Sequence, residues 1–270
     1  MYKIAVCVIA KWEEQYLVEW VEHYKNMGFD NILFYDNNEV NNDEQLNVLK
    51  PYIDNGFIIY HDLRGKTGSR VQKDCYENCL KQYKDIYNWI AFFDADEFIE
   101  FANHATIKEF LSSNENFDKY DGVSLNWVNH TDSNNLYHKE GRVQDRFTET
   151  IYEERNQYKT IVNTKKYKLK RIKSVHNLGG INLCDEEGCT FDKYGKYLQC
   201  KEFKDNISFI KHYRTKSTEE FIKKIKRGYC NGGYTVFNES TYKMFYRQYF
   251  RINKKTKEKV KMFSDTFVGM

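Results

Sequence analysis

The 270-residue chain has a single proline, Pro51, and no Gly/Ser/Pro-rich stretch that reads as a linker. That absence favours one large domain, or one domain with an appendage, over a string of tethered modules. No apolar run approaches the roughly 18 residues that a membrane-crossing helix needs. The opening MYKIAVCVIAKWEE turns acidic straight after a short apolar core and lacks a small-residue cleavage site. It reads as a first β-strand, not a signal peptide. The seven cysteines contain no C-x-x-C pair, and an odd number fits no paired disulfide framework. Reduced thiols in a cytosolic protein are the expectation, with Cys184, Cys189 and Cys200 the one stretch where a metal could be imagined. A net charge of +3 makes no case for nucleic acid. Two phosphate signatures are missing as well. RGKTGS resembles part of a P-loop, but Tyr60 stands where its first glycine belongs, and no G-x-G-x-x-G follows the first strand.

What is present is an alternation of strand and helix signals. KIAVCVIA, NILFYDNN, FIIYHDL and NWIAFFDADEF read as strands, and the segments EEQYLVEWVEHYKNMG, DEQLNVLKPYIDNG and SRVQKDCYENCLKQYK between them as helices. Gly28 and Gly56 close the first two helices, and Pro51 is expected to break the second. The order predicts an α/β fold with a largely parallel sheet, helices on both faces, and ligands bound beyond the carboxyl ends of the strands. Past residue 104 the pattern loosens into a short helix at TIKEFL, a strand at DGVSLNWVNH and β-branched stretches within KTIVNTKKYKLKRIKSVH. Ser217 and Glu220 form a capping-box signature at the start of STEEFIKKIKRG. The segment from there to the end is basic and aromatic, which suggests a division into residues 1–215 and 216–270.

The chemistry concentrates in DADE at residues 94–97. Carboxylates this close repel one another and need a cation among them. On an extended strand Asp94 and Asp96 project to the same side, and two hard oxygen ligands suit Mn²⁺ or Mg²⁺ shared with phosphate oxygens. Phosphatases of the haloacid-dehalogenase type also use D-x-D, but on their first strand and with Thr or Val two residues on, where this chain has Phe98.

Six ordered segments between residues 3 and 228 resemble the GT-A glycosyltransferases, particularly glycosyltransferase family 92 and related family-2-like bacterial enzymes. They are AKWEEQYLVEWVEHYKNMGFDNILFYDNN, LKPYIDNG, DCYENCLKQYKDIYNWIAFFDADEFI, DRFTE, KTIVNTKKY, and the pair SVHN and IKHYRTKSTEEFIKKIKRG. The resemblance implies a Rossmann-like, mostly parallel sheet flanked by helices, followed here by a basic helical C-terminal segment. It implies transfer of a sugar from a nucleotide diphosphate donor, UDP-sugars favoured, to a glycan or glycolipid hydroxyl with inversion, in surface polysaccharide or glycolipid synthesis. Lys11, Glu13, Asp36, Arg70, Gln72, Asp94 and His176 are then expected at the donor. Asp96, Asp94 and His212 are expected on Mn²⁺ or Mg²⁺. Trp12 replaces the family's usual asparagine. Asp132 is the expected catalytic base, with Glu149 and Asp185 as alternatives. Arg146 reads either as functional or as a salt-bridge former, and Lys159 more as a surface residue than a phosphate ligand. The aromatics among the cations of residues 223–261 raise peripheral contact with the inner face of the cell membrane, against simple packing of the helix. The competing class is a catalytically silent GT-A domain that binds carbohydrate or a partner.

Overall fold

The computed structural model describes residues 2–151, 158–176, 178–189, 208–227 and 239–267. The first half follows the expected alternation: β1 (Ile4–Ala10), α1 (Glu14–Asn26), β2 (Asn31–Asp36), α2 (Glu44–Asp54), β3 (Ile58–Asp62), α3 (Val71–Tyr83) and β4 (Trp89–Phe92). Then come β5 (Glu97–Glu100), α4 (Ile107–Ser112), β6 (Gly122–His130), α5 (Val143–Arg146), β7 (Thr150–Ile151), β8 (Tyr158–Asn163) and β9 (Leu183–Cys184). β10 (Phe209–His212), α6 (Thr218–Arg227), α7 (Glu239–Ile252) and α8 (Lys257–Phe267) complete the described elements. Ten strands form one sheet in the order β3-β2-β1-β4-β8-β6-β10-β5, with β7 and β9 both on β6.

β1 to β4 run parallel, while β8 lies antiparallel between β4 and β6. β10 is parallel to β6, and β5 closes the edge antiparallel to β10. The GT-A arrangement of a mixed, mostly parallel sheet flanked by helices is therefore present. Every residue of β1 is buried, as a strand covered on both faces requires. Its side chains alternate: Ile4, Val6 and Val8 pack with Trp20 and Tyr24 of α1, whereas Ala5, Cys7 and Ile9 pack with Cys75, Tyr76 and Cys79 of α3. Burial pushes the Cys7 and Cys79 thiols well above their usual range, which keeps them protonated and unreactive.

Three local expectations change. Pro51 lies inside α2 and does not break it; the helix ends three residues later, with Gly56 at φ +78° just beyond. A proline this near the carboxyl end sacrifices one helical hydrogen bond and crowds the carbonyl four residues back, but only one further turn depends on it. The fourth predicted strand is two strands, since β4 stops at Phe92 and β5 starts at Glu97 in another part of the sheet. The aromatics of the C-terminal segment turn inward. Phe245, Tyr249 and Phe263 are buried with Phe221 and Ile225 of α6, and Met244, Tyr246 and Phe250 pack against them. Phe245 and Tyr249, two of the rings expected at a membrane surface, are thus taken into the core of this extension, while Tyr246 and Phe250 stay partly exposed. Phe237 lies outside the described residues. No helix among them is long and apolar enough to cross a membrane.

Two histidines, His130 buried and His23 half-buried, stitch elements together. The His23 ring bonds the Ile99 carbonyl at 2.8 Å and the His130 ring bonds the Phe147 carbonyl at 2.6 Å. Burial pushes both down to about 4. An unfolded histidine takes its proton near pH 6.5, so between pH 6.5 and about 4 the unfolded chain binds protons that the fold refuses. Unfolding free energy should therefore fall with pH across that window, by up to about 1.4 kcal/mol per unit for each histidine. Urea titrations at stepped pH on the wild type and His130→Asn check this: the variant's slope should be shallower.

Candidate active site

The carboxyl edge of the sheet gathers the chemistry. β1, β2 and β4 deliver Lys11, Asp36 and Asp94 there, and β10, running the same way as β6, delivers His212. β8 runs the opposite way, so its beginning rather than its end reaches this edge and brings Lys159. Antiparallel insertion is what brings Lys159 to Asp94.

Residues 93–96 form a turn, with the Glu97 N–H donating to the Asp94 carbonyl at 3.1 Å. The Trp20 indole N–H reaches the carbonyls of Asp94 and Glu97 at 3.1 and 2.9 Å and clamps that turn from α1. The two aspartates therefore do not share one face of a strand. Asp94 turns to one side, where Lys159 lies 2.8 Å from Oδ2 and the Gln72 amide donates to Oδ1 at 2.9 Å. Asp96 turns to the other, facing His212 Nε2 at 3.7 Å and Lys224 at 2.5 Å. Glu97 fills the space expected for Asp94: ligand atoms of Asp96, Glu97 and His212 all lie within 4.8 Å of one another. All three are buried, and Glu97 Oε1 and His212 Nδ1 have no hydrogen-bond partner. Two hard oxygens and an imidazole with unspent lone pairs suit a divalent cation. The ligand set that fits is thus Asp96, Glu97 and His212, with Asp94 held off by its own lysine.

Electrostatics follow the same division. Burial works against the Asp96 charge, yet Lys224 and Lys216 hold its carboxyl well below the usual range. Burial pushes Glu97 well above it, Asp94 and Asp96 add to the push, and Lys159 only partly offsets them. Burial drives His212 far down, leaving the neutral imidazole that a metal requires. Lys159 is fully buried, not a surface residue; desolvation opposes its charge, but Asp94 and Glu97 raise it above normal. His176 approaches from the far side, its ring 5.3 Å from that of Trp127, which itself lies 4.2 Å from His212.

Beside Asp96 opens a cavity of about 330 Å³, bounded by Trp12, Glu13 and Tyr16 on one side and Arg214, Lys216 and Lys224 on the other. That volume lies at the small end of the range for small-molecule sites. Lys216, buried, sits 3.5 Å from Glu13 and 4.0 Å over the Tyr16 ring. Trp12, in the left-handed region at φ +52°, is 41% exposed at the rim and pinned by its backbone N–H to Asn38 and its indole to Glu39. Lys11 pairs with the same Glu39 at 3.0 Å. Asp36 is fully buried, and its carboxylate accepts from Asn38, Gln45 and Tyr60 at 2.7–2.9 Å. It organises the loop beyond β2. Arg70 caps α3 and pairs with Asp74 and Glu77.

The sequence reading missed Lys216, Lys224 and the place of Glu97 beside Asp96 and His212. Lysines on a polar helix give no signal of burial until a partner is known. Arg146 resolves as a salt-bridge former: it grips Glu220 through two contacts of 3.1 and 3.0 Å. Glu220 also closes the expected capping box with Ser217 and accepts from Tyr16. Asp132 is drawn away from the cluster. It is 1% exposed, with Lys259 and the Tyr249 hydroxyl both 2.5 Å from Oδ2 and the Asn134 N–H on Oδ1. A carboxylate so enclosed is a strut between the loop after β6 and the C-terminal helices. Of the alternatives, Glu149 is exposed, and Asp185 accepts N–H bonds from its own turn, Glu187 and Cys189.

With this geometry the chain matches the glycosyltransferase family 92 model over residues 2–261, and it belongs to that family. Galactan beta-1,4-galactosyltransferase GALS3 of Arabidopsis thaliana is 32% identical over 88 residues, covering 31% of this chain and 17% of that protein. A glycosyltransferase family 92 protein of Ricinus communis is 22% identical over 115 residues, 43% of this chain and 20% of that one. The chain thus spans no more than about a fifth of the length of these curated relatives. Among solved structures it is similar to S. aureus TarS 1-349 in complex with UDP-GlcNAc, with TM-score 0.41 and 13% identity over 98% of this chain and 79% of that one.

If Asp132 is a strut, Asp132→Asn should leave the buried Lys259 without its counter-charge and cost about 3 kcal/mol of stability. Donor hydrolysis per folded molecule should stay within about threefold of wild type, against the 100-fold or greater loss expected of a catalytic base. Denaturant unfolding and active-site-normalised rates together check it.

Proposed function

We propose that this chain is a metal-assisted glycosyltransferase that moves a hexose from a nucleoside diphosphate sugar to a hydroxyl of a glycan or glycolipid. The observation that carries the reading is the buried Asp96–Glu97–His212 group, joined through Lys224 to a lysine-lined cavity beside it, in a family 92 chain. Asp96, Glu97 and His212 would hold Mn²⁺ or Mg²⁺, whose part is to neutralise charge on the departing diphosphate. Lys216 and Arg214 line the cavity where that diphosphate would lie and act in the same sense. Gln72 and Lys159 fix Asp94 against the ligand turn. Trp12, Lys11 and Glu13, at the end of β1, are placed to receive the nucleoside, and His176 the sugar side.

A galactosyltransferase among the relatives supports a hexose as the transferred group, and the motif resemblance supports UDP as the carrier and inversion as the outcome. Buried cysteines outside any disulfide, Cys7, Cys75, Cys79 and Cys184, support a reducing, cytoplasmic setting. Residues 1–215 carry most of this machinery, and residues 216–270 complete it through α6.

Screening hydrolysis of UDP-, GDP- and CMP-sugars with Mn²⁺ and with EDTA tests the proposal. Sugar release should be metal-dependent and confined to one nucleotide class; a silent binding domain would bind nucleotide and release nothing. Asp96→Asn should cut turnover per folded molecule by at least about 100-fold, the scale on which loss of one charge-stabilising contact acts, and should lower the melting temperature because Lys224 loses its counter-charge. His212→Ala should weaken Mn²⁺ binding in the presence of UDP by about 10-fold or more. Isothermal titration reads that effect directly.

A further inference from the structure

Lys224 sits where the proposed site has least room for it. Its ammonium lies 2.5 Å from Asp96 Oδ2 and donates to the Arg214 carbonyl at 3.2 Å. The other oxygen of the same carboxylate faces His212, so the lysine rests on the back of the one residue that must hold a cation. α6 puts it there. Phe221, Ile222 and Ile225 bury one face of that helix against α7 and α8, and the Ser217–Glu220 cap, gripped by Arg146, fixes its start. Lys224 then projects from the flank of that face into the cavity beside Asp96.

Charge balance sets the consequence. Glu13, Asp94, Asp96 and Glu97 are met by Lys159, Lys216 and Lys224, so the cluster is close to neutral as it stands. A divalent cation added alone would meet Lys224 across a single carboxylate, in a buried site where like charges repel strongly. A diphosphate added with it restores the balance and offers the lysine new acceptors. Lysine is a compact charge on a flexible four-carbon stem and can swing from Asp96 into the cavity without any movement of α6. It is 19% exposed on that side.

Building on the glycosyltransferase reading, we infer that Lys224 is a resident counter-ion of Asp96 that the donor's diphosphate draws off. Nucleotide therefore binds first and metal second, and Lys224 becomes a phosphate ligand in the loaded site. Free metal is kept out of the empty enzyme by the same residue that later grips the leaving group. By linkage, whatever Lys224 takes from metal affinity in the empty site it returns as coupling between metal and nucleotide.

Mn²⁺ binding followed by electron paramagnetic resonance, and UDP binding by calorimetry, test this on the full chain without any turnover, with GDP run in parallel. In the wild type, saturating nucleotide should tighten Mn²⁺ by about 10-fold or more. Lys224→Met, of similar length and uncharged, should tighten Mn²⁺ in the absence of nucleotide by about 10-fold and weaken nucleotide in the absence of metal by a similar factor. Lys224→Arg keeps the charge and should behave as wild type toward free Mn²⁺, which separates loss of charge from damage to α6. Unchanged affinity of nucleotide-free Lys224→Met for Mn²⁺ would overturn the inference while leaving the transferase reading intact. A wild type that binds no Mn²⁺ even with nucleotide present would overturn both.

Discussion

Everything at this site depends on keeping acidic groups buried without tearing the fold apart. Asp96 and Glu97 are within the core, Glu13 is close behind, and Asp94 is half-buried at its edge. Carboxylates in such surroundings either take up a proton or find a cation. Both outcomes occur here: Glu97 is pushed toward the neutral acid, while Asp96 stays ionised because Lys224 and Lys216 face it. Lys159 would itself be intolerable in the sheet without Asp94 and Glu97 beside it. Removing either side of such a pair strands the other, so the lysines and carboxylates are mutually obligatory.

The sheet makes this balance possible by mixing directions. Four parallel strands bring their carboxyl ends, and the turns that follow, to one edge. The antiparallel β8 slips in beside β4 and presents its first residues at that edge, so Lys159 meets a turn more than sixty positions earlier in the chain. Trp20, on a helix of the first half, then fixes the turn through two carbonyls that have no strand partner. A hydrogen-bond donor on a rigid indole suits that task because it holds backbone groups without adding charge to a crowded site.

The C-terminal helices have two links to this centre and use different physics for each. An aromatic cluster of Phe221, Phe245, Tyr249 and Phe263 supplies apolar burial. Charged struts supply position: Asp132 to Lys259 and Tyr249, and Glu220 to Arg146 and Tyr16. Through α6 that position reaches Asp96. The extension is therefore a working wall of the cavity, to which Lys223, paired with Glu219 at 3.0 Å, also contributes.

The strands and helices of the first half could be read from periodicity, because a two-faced buried strand such as IAVCVIA and an amphipathic helix such as EQYLVEWVEHYKN are dictated locally. The capping box at Ser217 and Glu220 was legible for the same reason, and so was the convergence of acidic residues in DADE on a cation. Motif order pointed to the family, and Asp96 and His212, expected to meet, do lie side by side. What the chain's order could not reveal was which cations answer which carboxylates. Asp94 and Asp96 look equivalent two residues apart, yet a turn in place of a strand sends them in opposite directions and seats Glu97 between Asp96 and His212. Asp132 looks like a catalytic carboxylate in a loop, yet Lys259, 127 positions on, encloses it. Lys224 looks like one more lysine on a basic helix, yet α6 aims it at Asp96. Backbone preferences act over a few residues and are written in the sequence; charge pairing acts over a few ångströms, and only the folded chain decides which charges come that close.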